Sequence, residues 1–239
     1  MVRVLVTERR TGVILTVKGG WTLRTLPAGT LVARGKNLSA KLAPAPGGFK
    51  FQDRVIAASS LMLQPDTERD LYLDKSRFRG HLRFYRDSGN LLFAVNHLDV
   101  EGYLYGVLHH EVGTWWPMGA LEAQAIAART YALYEVQTSK AQLYDLKSGT
   151  GSQMYGGSTT ERYRAKRAVD HTRGKVLTSQ GKIFPAYFHA TCAGRTAAAK
   201  ELWDIDVPAL AGGTLCSYCR ISPHYYWRAA VPFSEIEQN

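Results

Sequence analysis

The sequence predicts an α+β fold, with a mixed β-rich core, a few helices and a smaller β subdomain inserted at about residues 20–75 of the N-terminal half. Apolar residues alternate with polar ones over much of the first hundred residues, as in half-buried strands. After residue 100 the apolar spacing becomes helical. The 239 residues are 45% hydrophobic and 21% charged, which excludes disorder and suffices for one domain over residues 1–239.

Strands are predicted at several places in the first hundred residues. Residues 2–6 and 13–18 carry alternating valines and other apolar residues, and a turn is expected at Gly19-Gly20. Residues 77–84 alternate between small or apolar side chains and basic ones, which indicates a strand with one cationic face. Residues 87–90 (DSGN) predict a hairpin turn into a further strand.

Helices are predicted from residue 100 onward. Residues 100–112 have apolar side chains at helical spacing, and Trp115-Trp116-Pro117 ends the helix because the residue before a proline is pushed out of the α region. Residues 120–137 are rich in alanine, and a stripe of small residues allows close packing against a neighbour. Residues 161–171 predict another helix, and a short hairpin is expected across residues 179–181.

The charge points to an anionic partner. Thirty Lys+Arg against twenty Asp+Glu give a net charge of +10, which suits nucleic acid, an anionic membrane surface or an anionic polymer. The basic residues are scattered and no nucleic-acid-binding motif is present, so a solvated basic surface is expected and nucleic acid is not. No apolar run is long enough to cross a bilayer, and no signal peptide opens the chain. We therefore expect either a cytosolic protein or a mature fragment.

One candidate acid–base residue, Glu111, stands between two histidines and the Trp-Trp-Pro break. A carboxyl at a helix end beside tryptophans would be partly desolvated, which favours the protonated form that a general acid needs. An ordinary surface glutamate is the alternative. Because consecutive residues face different ways on a helix, His109 and His110 are expected to be surface or packing residues and not a metal pair.

A second candidate site contains the three cysteines, an odd number that does not make a disulfide framework. Cys216-x-x-Cys219 supplies two thiolates from one turn, and Cys192 and His224 complete a tetrahedral set. This pattern predicts a structural Zn²⁺ site, since four protein ligands leave no position for water. The alternatives are a thioredoxin-like redox pair, for which the βαβ context is missing, and cysteines without a function.

Four motifs follow one another over about half of the chain. They are LDVEGYLYGVLHHEVGTWWPMGALEAQAIAARTYALYE (98–135), SQMYGG (152–157), TRGKVLT (172–178) and YFHATCAGRT (187–196). In these motifs the sequence resembles the SpoIID/LytB family, which comprises stage II sporulation protein D and amidase-enhancer relatives. The AQAIAARTYA core is the most specific part of the resemblance.

The resemblance implies a lytic transglycosylase that acts on peptidoglycan glycan strands without stem peptides and leaves 1,6-anhydro-muramyl ends. The family's catalytic acid is the glutamate of a Glu-Met-Pro motif, which falls on Glu111. One carboxyl suffices there because the sugar's own C6 hydroxyl attacks the anomeric carbon, whereas glycoside hydrolases usually use two. Val112-Gly113 replaces Met-Pro, so a loop of different shape is expected.

Further site residues are expected along the sugar groove. They are Arg129, Gln153, Tyr155 and His189. A structural pairing with a nearby carboxylate is an equal alternative for Arg129, and core packing is an alternative for Tyr155. Many relatives hold zinc through cysteines near the SQMYGG motif, but residues 145–153 contain none. The expected zinc ligands are therefore the C-terminal ones, with Cys192 at the position of the family's CGG-x-T cysteine. His224 is chosen as the fourth ligand, and His189, from the same motif as Cys192, is the alternative.

The resemblance also implies partners and a location. Peptidoglycan glycan strands are the expected polymer, and a cell-wall amidase is a further expected partner. The expected location is the cell envelope, extracytoplasmic or periplasmic. The alternative function is a non-catalytic peptidoglycan-binding module that stimulates an amidase.

Overall fold

The structure is a computed structural model that describes residues 1–67, 70–141, 143–226 and 228–233. The chain forms two compact units, residues 1–177 and residues 178–239. The predicted α+β class is confirmed, because the first unit combines a large sheet with helices. The inserted β subdomain stays a prediction; strands from that part of the chain are hydrogen-bonded into the large sheet.

The large sheet contains eleven strands among the described residues. They are β1 (Val2–Arg10), β2 (Val13–Leu26), β3 (Leu31–Ala45), β4 (Gly48–Phe51), β5 (Arg54–Ile56), β6 (Ser60–Pro65), β7 (Leu71–Leu73), β8 (Ser76–Phe78), β9 (His81–Arg86), β10 (Leu92–Leu98) and β11 (Leu146–Lys147). The main order is β11-β1-β10-β9-β6-β2-β3-β4-β5, and β7 pairs with β2 and β8. The pairing of β11 with β1 is parallel, and the pairing of β1 with β10 is antiparallel.

Two glycines change the predicted strands. The turn expected at Gly19-Gly20 is wrong, because β2 continues through both residues to Leu26. Gly19 has a φ of 109° and the register with β3 shifts at this point, so the pair forms a bulge rather than a turn. The predicted strand over 77–84 is divided into β8 and β9 at Gly80, whose φ of 66° interrupts the extended backbone.

Helices of the first unit match the predicted ones. They are α1 (Val100–Glu111), α2 (Met118–Thr138) and α3 (Tyr163–His171), with a 3₁₀ turn at Gly157–Thr160. Asp99 caps α1, because its side-chain Oδ1 accepts a hydrogen bond from the Gly102 N–H at 2.9 Å. Apolar side chains of α1, α2 and α3 belong to the same buried cluster as those of the sheet. One core therefore holds the end of α1 in a fixed place.

The second unit has less regular structure. Its elements are β12 (Thr178–Ser179), β13 (Lys182–Ile183), α4 (Ala199–Trp203) and 3₁₀ turns at Pro208–Leu210 and Tyr218–Ile221. The hairpin expected across residues 179–181 is confirmed, with β12 and β13 joined at Gln180-Gly181. Among the residues described, the helices are all too short or too polar to span a bilayer.

Candidate functional site

Glu111 is the last residue of α1, and the chain leaves the helix directly after it. Val112 is extended, with φ −146° and ψ 141°, and its N–H still bonds to the Leu108 carbonyl. The Glu111 side chain is half-buried, and its Oε1 accepts a hydrogen bond from the Met154 backbone N–H at 2.9 Å. The carboxylate is therefore oriented by a backbone donor and remains open to solvent on part of its surface.

The segment that carries Met154 is fastened to the first strand of the sheet. Asp145 is buried and accepts hydrogen bonds from the Arg3 backbone N–H at 2.9 Å and from the Arg3 side chain at 3.0 Å. β11 then pairs with β1, and the Ser148 N–H donates to the Leu5 carbonyl at 3.1 Å. The strand β1 thus sets the position from which the following loop reaches Glu111.

Gln153 and Tyr155 lie in the core and not along a groove. Gln153 is 1% exposed; its Oε1 accepts from the Tyr103 hydroxyl at 3.1 Å and its Nε2 donates to the Ala128 carbonyl at 3.4 Å. Tyr155 is 6% exposed, its hydroxyl donates to Asn96 Oδ1 at 2.8 Å, and burial raises its pKa. The expected sugar contacts of these two side chains are replaced by buried hydrogen bonds, because neither side chain reaches solvent.

These two buried side chains hold the residue between them. Gln153 and Tyr155 point inward, whereas Met154 is 40% exposed and presents its N–H to Glu111. The loop lies directly on α1 at Gly106, where an added Cβ would be 2.7 Å from the Tyr155 ring. Gly106 is therefore required for this close approach. Gln153 and Tyr155 act as positioning residues for the hydrogen bond to Glu111.

Arg129 has the structural role that the sequence left open. Its Nη2 lies 2.7 Å from the Glu101 carboxylate, and the two side chains are 1% and 8% exposed. The guanidinium also donates to the carbonyls of Lys175 at 3.0 Å and Val169 at 3.2 Å. With its donors used inside the core, Arg129 joins α1, α2 and α3 and is not available to a sugar.

Glu101 was not singled out from the sequence, although a signal was present. It stands three residues before Leu104 and seven before Leu108, so it belongs to the apolar stripe of α1. An acid on such a stripe is buried only with a partner. Arg129, in the apolar part of α2, is that partner. The acid on the apolar stripe of α1 and the arginine in the apolar part of α2 together predict a buried ion pair.

An exposed tryptophan pair follows Glu111 in the chain. Trp115 and Trp116 are 82% and 43% exposed, and their ring centroids lie 5.9 Å apart in an edge-to-face arrangement. The side chain of Arg164 on α3 donates to the carbonyls of Thr114 and Trp116, both at 2.8 Å. An added Cβ at Gly113 would lie 2.6 Å from the Trp115 indole nitrogen. The loop is therefore tight and fixed while its aromatic rings face solvent.

The two histidines before Glu111 have the surroundings expected for surface or packing residues. Their ring centroids lie 5.4 Å apart, with a tilt of 44° between the planes. His109 is half-buried and burial lowers its pKa, whereas His110 is exposed. An added Cβ at Gly156 would approach His110 Nε2, so this ring covers the loop that carries Met154.

His189 belongs to the second unit and is exposed. It lines a cavity of about 520 Å³ together with Tyr187 and Trp203, whose ring centroids are 4.4 Å apart. Its expected place along a sugar groove stays a prediction, since Glu111 belongs to the first unit.

The thiol cluster, defined as Cys192, Cys216 and Cys219, lies in the second unit. The Sγ of Cys219 is 3.5 Å from that of Cys192 and 3.7 Å from that of Cys216, and all three sulfurs lie within 4.8 Å of one another. The cysteines are free and half-buried. Hydrogen bonds, first from the Cys192 backbone, lower the pKa of Cys219 to about 7. These donors suit a thiophilic metal ion such as Zn²⁺.

The fourth ligand expected from the sequence is not part of this cluster. The described ligand atoms that lie within 4.8 Å of one another are the three sulfurs, without His224 and without His189. The His224 backbone N–H donates to the Ser222 hydroxyl, within the turn after the last cysteine. The five residues from Cys219 to His224 include the end of the 3₁₀ turn at Tyr218–Ile221, and this separation does not place the imidazole within 4.8 Å of all three sulfurs.

The core shared by the sheet and the helices holds Glu111 at the end of α1, next to a short loop. Comparison with protein families identifies the class of protein that has this arrangement. Residues 88–179 match the family model SpoIID, described as stage II sporulation protein. This segment contains α1, α2, α3, Glu111 and the loop with Met154. The resemblance seen in the sequence is confirmed, and over this segment the chain belongs to the SpoIID family.

Individual relatives are similar over more than half of the chain. An uncharacterized protein of Brachyspira hyodysenteriae is 35% identical over 179 residues, which cover 73% of this chain and 47% of the relative. The amidase enhancer of Bacillus subtilis is 32% identical over 168 residues, covering 69% of this chain and 23% of the relative. Stage II sporulation protein D of Bacillus subtilis is 28% identical over 160 residues, which cover 61% of this chain and 46% of the relative. The chain thus spans about half or less of these relatives.

Proposed function

We propose that this protein is a peptidoglycan lytic transglycosylase in which Glu111 is the general acid and base. The observation that carries the proposal is the half-buried Glu111 carboxylate, held by the Met154 N–H and followed by the exposed rings of Trp115 and Trp116. Exposed aromatic rings a few residues after an oriented carboxyl suit a sugar polymer, because the rings can stack on sugar faces and the carboxyl can meet a glycosidic oxygen. The likeness to proteins named stage II sporulation protein D supports the same choice.

The proposed reaction needs one carboxyl group and consumes no water. Glu111 in its acid form gives its proton to the glycosidic oxygen while the bond from that oxygen to C1 breaks. The resulting carboxylate then takes the proton of the same sugar's C6 hydroxyl as its oxygen bonds to C1. The products are a 1,6-anhydro end and a free hydroxyl end, and Glu111 is protonated again. Hydrolases that use water usually need a second carboxylate beside the bond.

Three other acids in the helical part of the chain are paired with arginines. Glu101 is paired with Arg129, Asp170 accepts from Arg173 at 2.9 Å, and Glu161 accepts from Arg79. Burial raises the pKa of Asp170 and of Glu161, but hydrogen bonds, including those from Arg173 and Arg79, lower it by more, so both carboxyls are poor proton donors near neutral pH. Their pairing makes these three carboxyls poorer candidates than Glu111 for the acid.

The distribution of charge supports binding of an anionic glycan. Residues 1–98 contain 16 Lys+Arg against 7 Asp+Glu, whereas residues 99–239 contain 14 against 13. The excess therefore belongs to the β-rich part of the chain. Muramic acid residues without stem peptides carry a free lactyl carboxylate, so a basic sheet region favours their approach. Because peptidoglycan lies outside the cytoplasmic membrane, we propose the cell envelope as the location.

A second candidate function is supported by one comparison. A relative at 32% identity is named amidase enhancer. On this alternative the protein binds peptidoglycan and stimulates a cell-wall amidase without cleaving the glycan. Glu111 would then take no part in a proton transfer.

The test is the Glu111→Gln variant, which keeps the size of the side chain and removes its acid. On peptide-free glycan strands we expect release of 1,6-anhydro-muramyl ends, measured by mass spectrometry, to fall about 10²–10⁴-fold. Glu122→Gln is the matched control, because Glu122 is a partly exposed carboxylate on α2 that bonds to His171. Its rate should match that of the parent protein.

The same pair of variants decides between the two functions. If Glu111→Gln releases anhydro ends at the parent rate, the proposed catalysis is refuted. If neither the parent nor the variant releases them, and both sediment with glycan and stimulate a purified amidase equally, the enhancer function is the correct one.

A further inference from the structure

The thiol cluster supports an inference that does not depend on glycan cleavage. We propose that Cys192, Cys216 and Cys219 bind one Zn²⁺ as a three-thiolate site, and that an exchangeable ligand from solution takes the fourth coordination position. The site therefore differs from the closed four-ligand site that the sequence predicts. It is open in the sense that a small donor molecule binds directly to the metal.

The spacing of the sulfurs fits a tetrahedral ion. The Cys219 Sγ lies 3.5 Å and 3.7 Å from the other two sulfurs. With Zn–S bonds of about 2.3 Å, two ligands of a tetrahedral ion are about 3.8 Å apart. The sulfurs of a disulfide are about 2.05 Å apart. The three thiols are thus spaced as ligands of one metal ion, with Cys219 next to both of the others.

The backbone brings the distant cysteine to the Cys-x-x-Cys turn. The Cys216 N–H donates to the Gly194 carbonyl at 2.9 Å, and Arg195 forms a bridge with Leu215. Gly194 has a φ of 98°, which lets the chain turn directly after Cys192. The antiparallel contact between residues 194–196 and 213–216 is therefore a framework that holds the sulfurs together without a metal.

The fourth position has no histidine, carboxylate or further cysteine donor in the described parts of the chain. A histidine or carboxylate placed to complete the set would share the 4.8 Å neighbourhood of the sulfurs, and none of those described does. Three protein ligands with one free position is the arrangement in which zinc exchanges small molecules. The half-buried state of the thiols leaves the metal accessible to such a molecule.

Metal binding has a defined proton balance. Each thiol that becomes a thiolate ligand releases one proton to solvent, so loading the site with Zn²⁺ releases up to three. The metal neutralises sulfur charges that would otherwise repel one another at these short distances. No oxidant is required, and the sulfurs stay reduced.

The experiment titrates the reduced, metal-free chain of 239 residues with Co²⁺ in the absence of oxygen. We expect thiolate-to-Co²⁺ charge-transfer absorption that saturates at one equivalent and disappears when Zn²⁺ is added. Imidazole added to the Co²⁺ form should shift its d–d bands, because it enters the open position. His224→Ala should bind Co²⁺ and respond to imidazole as the parent does. Cys219→Ser should bind about 100-fold more weakly or worse.

Several results would overturn the proposal. Absence of stoichiometric thiolate absorption in the parent protein would show that there is no metal site. Loss of the Co²⁺ spectrum in His224→Ala, or no response to imidazole, would show a closed site. His224→Ala and the imidazole response decide the question without relying on the fold of Cys219→Ser. None of these readouts involves glycan cleavage, so their failure leaves the proposed function untouched.

Discussion

The backbone N–H of Met154 and the Oε1 of Glu111 are joined by a 2.9 Å hydrogen bond across 43 residues of chain. A main-chain donor cannot rotate away as a side chain does. The buried side chains of Gln153 and Tyr155 keep it in place from both sides. The orientation of the Glu111 carboxyl is therefore set by the loop as well as by α1.

Removing this donor should lower the rate while leaving the acid present. In Met154→Pro the residue has no N–H, so Glu111 loses its orienting bond. We expect the release of anhydro ends to fall about 10- to 100-fold with little change in glycan binding. Met154→Leu is the control, because it keeps the N–H and a similar side chain. Equal rates for the proline and leucine variants, both with parent-like circular dichroism and thermal unfolding, would contradict the orienting role.

The Arg129–Glu101 pair should be important for stability. Arg129→Met leaves the Glu101 carboxylate buried without its partner, and we expect the free energy of unfolding to fall by about 3–5 kcal/mol. Denaturant unfolding measures this loss. Replacing both residues, as Arg129→Met with Glu101→Leu, should recover part of it because no charge then stays buried.

Arg173→Met is the matched control for the buried pair. Arg173 bonds to Asp170 at 2.9 Å, but its side chain is 57% exposed. Water screens such pairs, so the loss should be about 1 kcal/mol or less. A loss for Arg129→Met no larger than that of the control would show that the buried pair does not hold the helices together.

Two stacked histidines should make the fold sensitive to acid. The rings of His81 and His97 lie 4.8 Å apart, and burial, reinforced by Arg83, lowers their pKa to about 4 and about 3. In the unfolded chain a histidine titrates near pH 6.5, so acid protonates the unfolded state first. Stability is therefore full above about pH 6.5 and falls as the pH drops toward the folded values.

His97 should contribute most of this pH dependence because it is 3% exposed. Below about pH 6, protonation of His97 in the unfolded chain should lower the free energy of unfolding by about 1.4 kcal/mol per pH unit. His81 adds less, since it is more accessible to solvent. The His97→Asn variant should show a shallower dependence in denaturant unfolding, and exposed His110→Asn should behave as the parent. Identical slopes for all three proteins would rule out this linkage.

Much of the fold follows from local patterns in the sequence. The helices α1, α2 and α3 are predicted within two residues at each end, because apolar spacing and the Trp-Trp-Pro break act locally. The path of β2 through Gly19-Gly20 was not predictable in this way. Two glycines favour a turn and a bulge equally, and only pairing with β3 and β6 decides between them.

The residues of the candidate site were likewise only partly predictable from local patterns in the sequence. Glu111 was singled out through its motif and its role as the acid stays a prediction, whereas Gln153 and Tyr155 were expected along a groove. The sequence alone does not show whether a polar residue in a loop faces a sugar or a buried hydroxyl. What turns Tyr155 inward is Asn96, nearly sixty residues earlier, with which it shares a hydrogen bond. Such distant partners are not visible in a local pattern.

The parallel pairing of β11 with β1 makes two segments that are far apart in the sequence depend on each other. Residues 3–5 anchor the loop that reaches Glu111, although Asp145, the first contact of that anchor, lies 142 positions after Arg3. A substitution in β1 that weakens the anchor would therefore displace the Met154 N–H from Glu111 without altering either residue.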